Sequence, residues 1–189
     1  MTLQDQDTQA IEAEIPYLRR FARARVGDPD YADDLVQACL EKAIINYDKY
    51  RPGTNLRAWL LAILRNHQIS EYRKQKRRPD HISYDELTCA RPDEATQGQA
   101  IEFKEFVRMF RRLPDADQEI LLLVGVEGLA YEEAAQVLGV AIGTVRSRLS
   151  RARAKLKALQ DAADKPKNDR FNRSYGLKSP LRPHIVLHA

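Results

Sequence analysis

The sequence is poor in the residues that build disulfide frameworks and metal sites. Two of its 189 residues are cysteine, Cys39 and Cys89, and none of its four histidines shares a metal-binding spacing with either of them. This pattern is typical of reduced thiols in a reducing compartment. We therefore expect no disulfide, no metal site and no cofactor.

Long hydrophobic runs are also missing. The longest apolar stretches, such as ILLLVGV at residues 120–126, are far shorter than the roughly 20 residues that cross a bilayer as a helix. The N-terminal segment MTLQDQDTQAIEAEI is acidic and polar, unlike a secretory signal peptide. We expect a cytoplasmic protein without a membrane span.

Motifs of the common enzyme classes are absent as well. The sequence contains no phosphate-binding loop and no nucleophile motif, so we expect no enzymatic activity and no catalytic residue. The net charge is only +4 at pH 7. A function that needs a basic surface must therefore come from the places where cations cluster.

The apolar residues recur at helical spacing and strand patterns are lacking, which predicts an all-α fold. Between residues 79 and 99 large apolar residues become scarce, and prolines, a glycine and several acids take their place. We interpret this stretch as a flexible acidic linker between two small helical domains, 8–78 and 100–160. The tail, 161–189, has no periodicity, and we expect it to be disordered.

Capping and breaking residues predict the ends of the helices in the first domain. Gly27, Asp28 and Pro29 should end the first helix, and the acidic residues that follow should begin the second. A third helix should run from Leu56 to about Arg77, with Asn55 or Thr54 as its N-cap.

The second domain contains the pattern of a helix-turn-helix. We predict a helix from Ala100 to Leu113, then a helix with Pro114 at its first position. The segment YEEAAQVLGVAIGTVRSRLSRARAKL then gives a short helix closed by Gly139 and a second helix that begins at a Thr144 cap.

The second helix of this pair is cationic but has small residues along the centre of its outer face. At 100° per residue, one stripe is apolar and forms the core side: Val145, Leu149, Ala152, Leu156 and Leu159. The centre of the opposite face is Ser147, Ser150 and Ala154, with Arg146 and Arg153 on one edge and Arg151 and Lys155 on the other. Small residues let a backbone approach DNA, and arginines at the edges reach phosphates or guanine. The alternative is a solvated amphipathic helix of a bundle.

A second basic segment lies in the first domain. The segment from Arg57 to Arg78 contains one acid, Glu71, and seven cations: Arg57, Arg65, Arg73, Lys74, Lys76, Arg77 and Arg78. The helix dipole alone favours cations in a last turn. Two basic segments, one per domain, instead indicate two contacts on one long polyanion.

The segments DPDYADDLVQACLEKA, PGTNLRAWLLAILRNHQISEYRKQKRR and LLLVGVEGLAYEEAAQVLGVAIGTVRSRLSRARAKL, taken in order, resemble a bacterial RNA polymerase sigma factor of the extracytoplasmic function (ECF) type. The resemblance covers about Ile11 to Leu159. The segments PGTNLRAWL and GLAYEEAAQVLG are most similar to the alphaproteobacterial general-stress-response subgroup. Members of that subgroup are held by a small anti-sigma factor, which a sigma-mimicking response regulator removes.

The resemblance implies three sets of binding residues and three partners: core RNA polymerase, promoter DNA and an anti-sigma factor. The set for the −35 element is Thr144, Arg146, Ser147, Arg148, Ser150, Arg151 and Lys155. The set for the −10 element is Asn66, which would help hold an extruded base, with Arg65, Arg73, Lys74, Arg77 and Arg78. The set for the clamp helices of the polymerase β′ subunit is Asp33, Asp34, Leu35, Gln37 and Glu41.

One departure from the family pattern falls in the polymerase-binding segment. Where relatives often have LVQET or LVQDT, this chain has LVQAC, so Ala38 replaces an acid. The expected function is that of an alternative sigma factor for stress-response genes. The alternative is a sigma mimic that sequesters an anti-sigma factor without binding DNA, although such mimics usually carry a receiver domain.

Overall fold

A computed structural model describes residues 4–77 and 97–163 of the chain, and all regular structure within these ranges is helical. The predicted all-α class is therefore confirmed. The helices are α1 (Asp5–Val26), α2 (Pro29–Ile45), α3 (Leu56–Lys76), α4 (Gln97–Phe110), α5 (Asp115–Leu121), α6 (Tyr131–Leu138) and α7 (Ile142–Ala163). A 3-10 turn, Tyr47–Lys49, follows α2, and a π-helical turn, Leu122–Val126, continues α5. We call α1–α3 the N-terminal half and α4–α7 the C-terminal half.

The break between α1 and α2 lies where the sequence predicts it. Gly27 adopts a φ of 78°, a conformation that costs glycine little, and its N–H donates to the carbonyl of Arg23. The Asp28 carboxylate accepts from the backbone N–H groups of Asp30 and Tyr31, and Pro29 follows it as the first helical residue. One short segment thus closes α1 and caps α2.

The three helices of the N-terminal half share a buried apolar core. Leu18 and Phe21 from α1 pack with Cys39 from α2 and with Leu60 and Leu64 from α3. The Cys39 thiol donates to the carbonyl of Leu60, and burial raises its pKa to about 12. A thiol in that environment is an unreactive part of the core.

The N-cap of α3 is Asn55, which resolves the two alternatives. Its side-chain oxygen accepts from the Ala58 N–H at 3.2 Å. The Thr54 hydroxyl instead donates back to the carbonyl of Arg51 at 2.7 Å. Thr54 therefore stabilises the turn before the helix and is not the cap.

The boundaries of α4 and α5 differ from the predicted ones. Helix α4 begins at Gln97 and ends at Phe110, so it lies three residues earlier than the range Ala100 to Leu113. Pro114 is the N-cap of α5 rather than its first residue, because its carbonyl accepts from the Asp117 and Gln118 N–H groups. Residues 78–96 and 164–189, which hold most of the predicted linker and tail, lie outside the described residues.

The helix-turn-helix consists of α6 and α7. Gly139 closes α6 with a φ of 67°, as the sequence predicts. The prediction of a Thr144 cap for α7 is wrong. The carbonyl of Ala141 accepts from the Thr144 and Val145 N–H groups, so helical geometry begins at Ile142 and Thr144 lies within the first turn.

The two halves pack against each other, an arrangement that the sequence leaves open. Helix α3 contacts α6, and buried apolar residues of both halves belong to one continuous cluster. Polar contacts also join the halves. They pair Arg20 with Glu127, Arg65 with Glu119, Asn55 with Glu133, and Arg25 with the carbonyl of Asp115.

Candidate nucleic-acid interface

Helix α7 presents two different faces. Val145, Leu149 and Ala152 are buried against the C-terminal half, and Leu156 and Leu159 pack at the edge of that core. The opposite face consists of exposed small residues, Ser147, Ser150 and Ala154. The helix therefore lies with the small face outward, as its periodicity predicts, and its backbone can approach a groove of DNA.

Cations border the small face of α7, and the structure orients two arginines among them. The Arg146 guanidinium lies 5.9 Å from the centre of the Tyr131 ring at the start of α6. The Arg151 side chain donates to the carbonyl of Ser147 at 3.3 Å. Both arginines are exposed, so they combine a held position with access to a ligand. Arg153 is exposed on the same edge of the small face as Arg146, and Arg148 is half-buried.

Lys155 has a different environment from the other predicted −35 residues. Its ammonium pairs with the Asp117 carboxylate at 2.5 Å, and the Asp117 side chain is only 9% exposed. The pair joins α7 to the start of α5. Lys155 therefore contributes to the packing of the helix-turn-helix, and a phosphate would have to displace a carboxylate to bind it.

Asn66 lies on the exposed side of α3, at an open cavity of about 400 Å³. The cavity joins the end of α2 to α3 and combines aromatic, amide, hydroxyl and ammonium groups. It is lined by Lys42, Asn46, Lys49, Trp59, Ile63, Asn66, His67 and Ser70. Apolar walls with a few polar groups suit a flat, hydrogen-bonding ligand such as a nucleobase.

Trp59 forms a wall of this cavity and belongs to an aromatic cluster. Its ring lies 6.3 Å from that of Tyr47, edge to face, and 5.3 Å from that of Tyr50. The ring is therefore fixed by packing, and Trp59 lies partly buried at the edge of the core.

The sequence analysis did not single out Lys42 and His67 as part of the −10 region. The Lys42 ammonium donates to Nδ1 of His67 at 2.7 Å. Burial, followed by the charge of Lys42, holds the pKa of His67 below 6.5. The imidazole is therefore neutral at physiological pH and keeps Nε2–H as a donor. A helical stripe through Trp59, Ile63, Asn66 and Ser70 could have indicated the cavity, because these residues recur at intervals of three and four.

Three cations of the second basic segment form ion pairs with three different acids. Arg57 pairs with Glu14 at 2.6 Å and covers the Tyr17 ring, so it fastens α3 to α1. Arg65 pairs with Glu119 of the C-terminal half at 2.9 Å. Lys74 pairs with Glu71 within the same helix, and this contact lowers the pKa of Glu71.

Three members of the predicted −10 set are exposed at the end of α3, and one is not described. Arg73 lies in the last turn of the helix and Arg77 just after it. Arg78 lies outside the described residues. The basic end of α3 therefore offers Arg73 and Arg77 together with Lys74.

The predicted polymerase-binding residues of α2 divide into an outer and an inner group. Asp34, Gln37 and Glu41 are exposed along one stripe, and the Gln37 amide donates to the Glu41 carboxylate at 3.2 Å. Leu35 is only 2% exposed, and Asp33 pairs with Arg19 and Arg23 of α1. The Asp33 side chain stays 44% exposed while it pairs with these arginines, whereas Leu35 is buried, and the assignment of both residues to polymerase binding stays a prediction.

Comparisons with known proteins match both halves. Residues 11–65 match the family model described as the Sigma2 domain of PhyR, and residues 103–156 match the model described as Sigma-70, region 4. The chain is 44% identical over 161 residues to the ECF RNA polymerase sigma factor EcfG of Rhodopseudomonas palustris, covering 84% of this chain and 87% of that relative. This chain is a member of the ECF sigma factor family. The predicted resemblance, including that to the general-stress-response subgroup, is confirmed.

Solved structures of relatives agree with this assignment. The sigma factor RpoE of Bartonella quintana, in complex with the anti-sigma factor NepR, is 34% identical and has a TM-score of 0.75, covering 84% of this chain and 98% of that chain. CnrH, in complex with the cytosolic domain of CnrY, is 27% identical with a TM-score of 0.61, covering 82% and 87%. Helix α2 and the first part of α3, up to residue 65, fall in the Sigma2 match, and α7 up to residue 156 falls in the region 4 match.

The described residues contain no group of His, Cys, Asp or Glu that could hold a metal ion. Within the same ranges, no helix combines the length and apolar character needed to cross a membrane. The ECF sigma family consists of non-enzymatic transcription regulators.

Proposed function

We propose that this protein directs core RNA polymerase to specific promoters, acts in the cytoplasm, and initiates transcription of stress-response genes. The observation that carries the proposal is the small outer face of α7 between exposed arginines, in a chain whose other half exposes Asn66 at an open cavity large enough to admit a nucleobase. Two unlike DNA-facing sites on one chain suit the two elements of a promoter.

The −35 element is read by α7 in the major groove. Arg146 and Arg151 contact guanine edges or phosphates, and Ser147 and Ser150 let the helix backbone approach the bases. Thr144, Arg148 and Lys155 contribute at the ends and sides of this contact. This assignment makes residues 100–160 the −35-binding domain.

The −10 element is captured by α3. An amide offers both a donor and an acceptor, so Asn66 can pair with the edge of a base that has left the stack. Arg73, Lys74, Arg77 and Arg78 bind the backbone beside it, and Arg65 joins them when the halves separate. Binding of extruded bases then favours the melted strand, so binding energy drives opening of the duplex.

The exposed stripe Asp34, Gln37 and Glu41 of α2 binds the β′ clamp helices of core polymerase. With α3, this makes residues 8–78 the polymerase- and −10-binding domain. Residues 79–99 would act as the linker between the domains. The complex of RpoE with NepR supports a further partner, a small anti-sigma factor that holds this chain inactive.

Run-off transcription with purified core polymerase on a library of genomic promoter fragments tests the proposal. We expect a restricted set of transcripts that share two sequence elements and that appear only when this protein is added. Transcription that is no more selective than that of core polymerase alone would contradict the proposal.

A second candidate function is that of a sigma mimic, because residues 11–65 match the Sigma2 domain of PhyR. A pull-down with core polymerase at near-physiological salt separates the two candidates. A sigma factor is retained by core polymerase. A mimic binds the anti-sigma factor but is not retained by core polymerase and appears in the flow-through.

A further inference from the structure

The open cavity beside Asn66, which we call the α3 cavity, has polar groups that are already held by neighbours within the protein. The Lys42 ammonium donates to Nδ1 of His67 at 2.7 Å. The Asn46 amide nitrogen donates to the carbonyl of Lys42 at 2.8 Å, and its oxygen accepts from the Lys49 ammonium at 2.5 Å. The polar groups described at this cavity that remain to face a ligand all belong to α3. They are the Asn66 amide, Nε2 of His67 and the Ser70 hydroxyl.

The contact with Lys42 fixes which nitrogen of the His67 ring carries the proton. An ammonium group has three donors and no acceptor, so Nδ1 must accept and cannot carry a hydrogen. Burial and then the charge of Lys42 lower the pKa of His67 below 6.5. Of the weaker influences, Glu71 opposes this shift and Lys74 adds to it. The ring is therefore neutral near pH 7, and its remaining polar atom, Nε2, acts as a donor only.

The other two α3 groups adapt to whatever ligand they meet. The Asn66 amide can present its donor and its acceptor in either order, because rotation exchanges the oxygen and the nitrogen. The Ser70 hydroxyl both donates and accepts. His67 is therefore the group of this set whose hydrogen-bonding role is fixed, and a fixed role is what lets a site discriminate between ligands.

A fixed donor beside an adaptable amide matches the edge of a pyrimidine base. Thymine presents O4, N3–H and O2, and cytosine presents N4–H, N3 and O2, so both edges end in the acceptor O2. The Asn66 amide can satisfy the first two groups in either order, and His67 can donate to O2. At the same end adenine has a C–H group and guanine has an amino donor. If guanine is turned over, His67 can reach O6, but a single Asn66 oxygen then faces two N–H groups.

We propose that His67, held by Lys42, is a specificity-determining residue of the α3 cavity and selects a pyrimidine as the extruded base of the −10 element. Lys42 is a positioning residue, because it acts on the base only through the His67 ring. This inference rests on the proposed sigma function. It adds a choice between base classes to the capture of a base by Asn66.

Nuclear magnetic resonance of the free, full-length protein tests the contact between Lys42 and His67. With isotope-labelled histidine at about pH 7.5, long-range proton–nitrogen correlations show which ring nitrogen carries the proton. The variant H67Q identifies the His67 signals among those of the four histidines. We expect the proton on Nε2, and an Nδ1 signal that moves in K42M but stays near its parent value in K42R, which keeps a donor. A proton on Nδ1, or an Nδ1 signal unchanged in K42M, would overturn the proposal.

Transcription from a panel of promoters tests the choice of base. Each position of the −10 element, in a promoter recovered with the parent, is changed in turn to all four bases. At one position the parent should transcribe promoters with a non-template pyrimidine better than those with a purine. H67N should lower that ratio about fivefold, the effect of one lost hydrogen bond. H67Q should keep most of the ratio, because a glutamine amide nitrogen takes the place of Nε2, whereas that of asparagine takes the place of Nδ1.

The matched control is Y72F, which removes a hydroxyl donor from an exposed position on the opposite side of α3 and should keep the parent ratio. A parent that transcribes, with the same ratios in H67N at every position, would overturn the role of His67 alone. If H67N loses its helical circular dichroism, K42M carries the test, because its ratio should fall as well and an unchanged ratio overturns the proposal. A parent that initiates at no promoter contradicts the sigma function, and the choice of base falls with it.

Discussion

Arg146 is held in place by an aromatic ring, and this arrangement gives a prediction at the scale of single residues. Its guanidinium lies over Tyr131, which fixes an otherwise flexible side chain at the border of the reading face. Replacing the ring with Tyr131→Leu should weaken binding to a −35 duplex about two- to fivefold, the equivalent of roughly 0.5–1 kcal/mol. Tyr131→Phe keeps the ring and should bind as the parent does, measured by fluorescence anisotropy. An equal loss in both variants would assign the effect to the hydroxyl instead.

Asn66 should act on the melted strand rather than on the duplex. Asn66→Ala removes the amide at the cavity but leaves α7 unchanged, so closed-complex binding should persist while permanganate reactivity of the −10 thymines falls. Ser70→Ala, which lines the same cavity, is the matched control and should melt the promoter normally. A parallel loss of binding and melting in Asn66→Ala would argue against base capture.

At the scale of elements, α7 depends on its buried stripe. Leu149 is 2% exposed and packs in the core of the C-terminal half. Leu149→Ala should lower the free energy of unfolding by about 2–5 kcal/mol, because it leaves a cavity that the helices cannot fully close. Ser150→Ala on the opposite face should change stability little. Urea denaturation of both variants measures the difference, and equal midpoints would contradict the orientation of α7.

The contact between α2 and α3 makes stability depend on pH. The pKa of His67 is lower in the folded protein than its ordinary 6.5, because burial and Lys42 disfavour the charged ring. The unfolded chain therefore binds the proton more readily than the folded protein. The contribution of His67 to stability is present above pH 6.5 and is lost as the pH falls through the pKa of the folded protein. His67→Gln should remove that loss. Urea denaturation at about pH 7.5 and pH 5.5 compares them, and identical pH dependence in parent and variant would refute the role of His67.

The sequence predicted the helices and their faces better than their partners. Local periodicity placed Val145, Leu149 and Ala152 inward, and Gly27 and Gly139 marked true helix ends. The start of α7 was missed because the carbonyl of Ala141, which carries no side-chain signature, accepts the first hydrogen bonds.

The ion pairs of Arg65 and Lys155 could not be predicted either, and the reason is different. Arg65 meets Glu119, 54 positions away, and Lys155 meets Asp117, 38 positions away. Only tertiary packing brings such groups together. The same holds for the burial of Leu35, which the family pattern marks as functional and which is 2% exposed in the fold.

At the scale of the whole molecule, the positions of individual charges say more about the available binding surface than the net charge of +4 does. Acids of the C-terminal half pair with cations of the N-terminal half, while the outer edge of α7 keeps exposed arginines. The molecule therefore has a closed, internally neutralised side and an open cationic side.

The central claim is that the exposed arginines of α7 read promoter DNA, and run-off transcription of R146A/R151A on a promoter recovered with the parent tests it most directly. The matched control is K104A/R112A, which removes two exposed cations from other parts of the same half. We expect transcription by R146A/R151A to fall at least about tenfold, and the salt dependence of promoter binding to flatten, because each lost phosphate contact lowers the slope by about 0.9. The control should transcribe like the parent. Equal transcription from R146A/R151A and the parent would contradict the account.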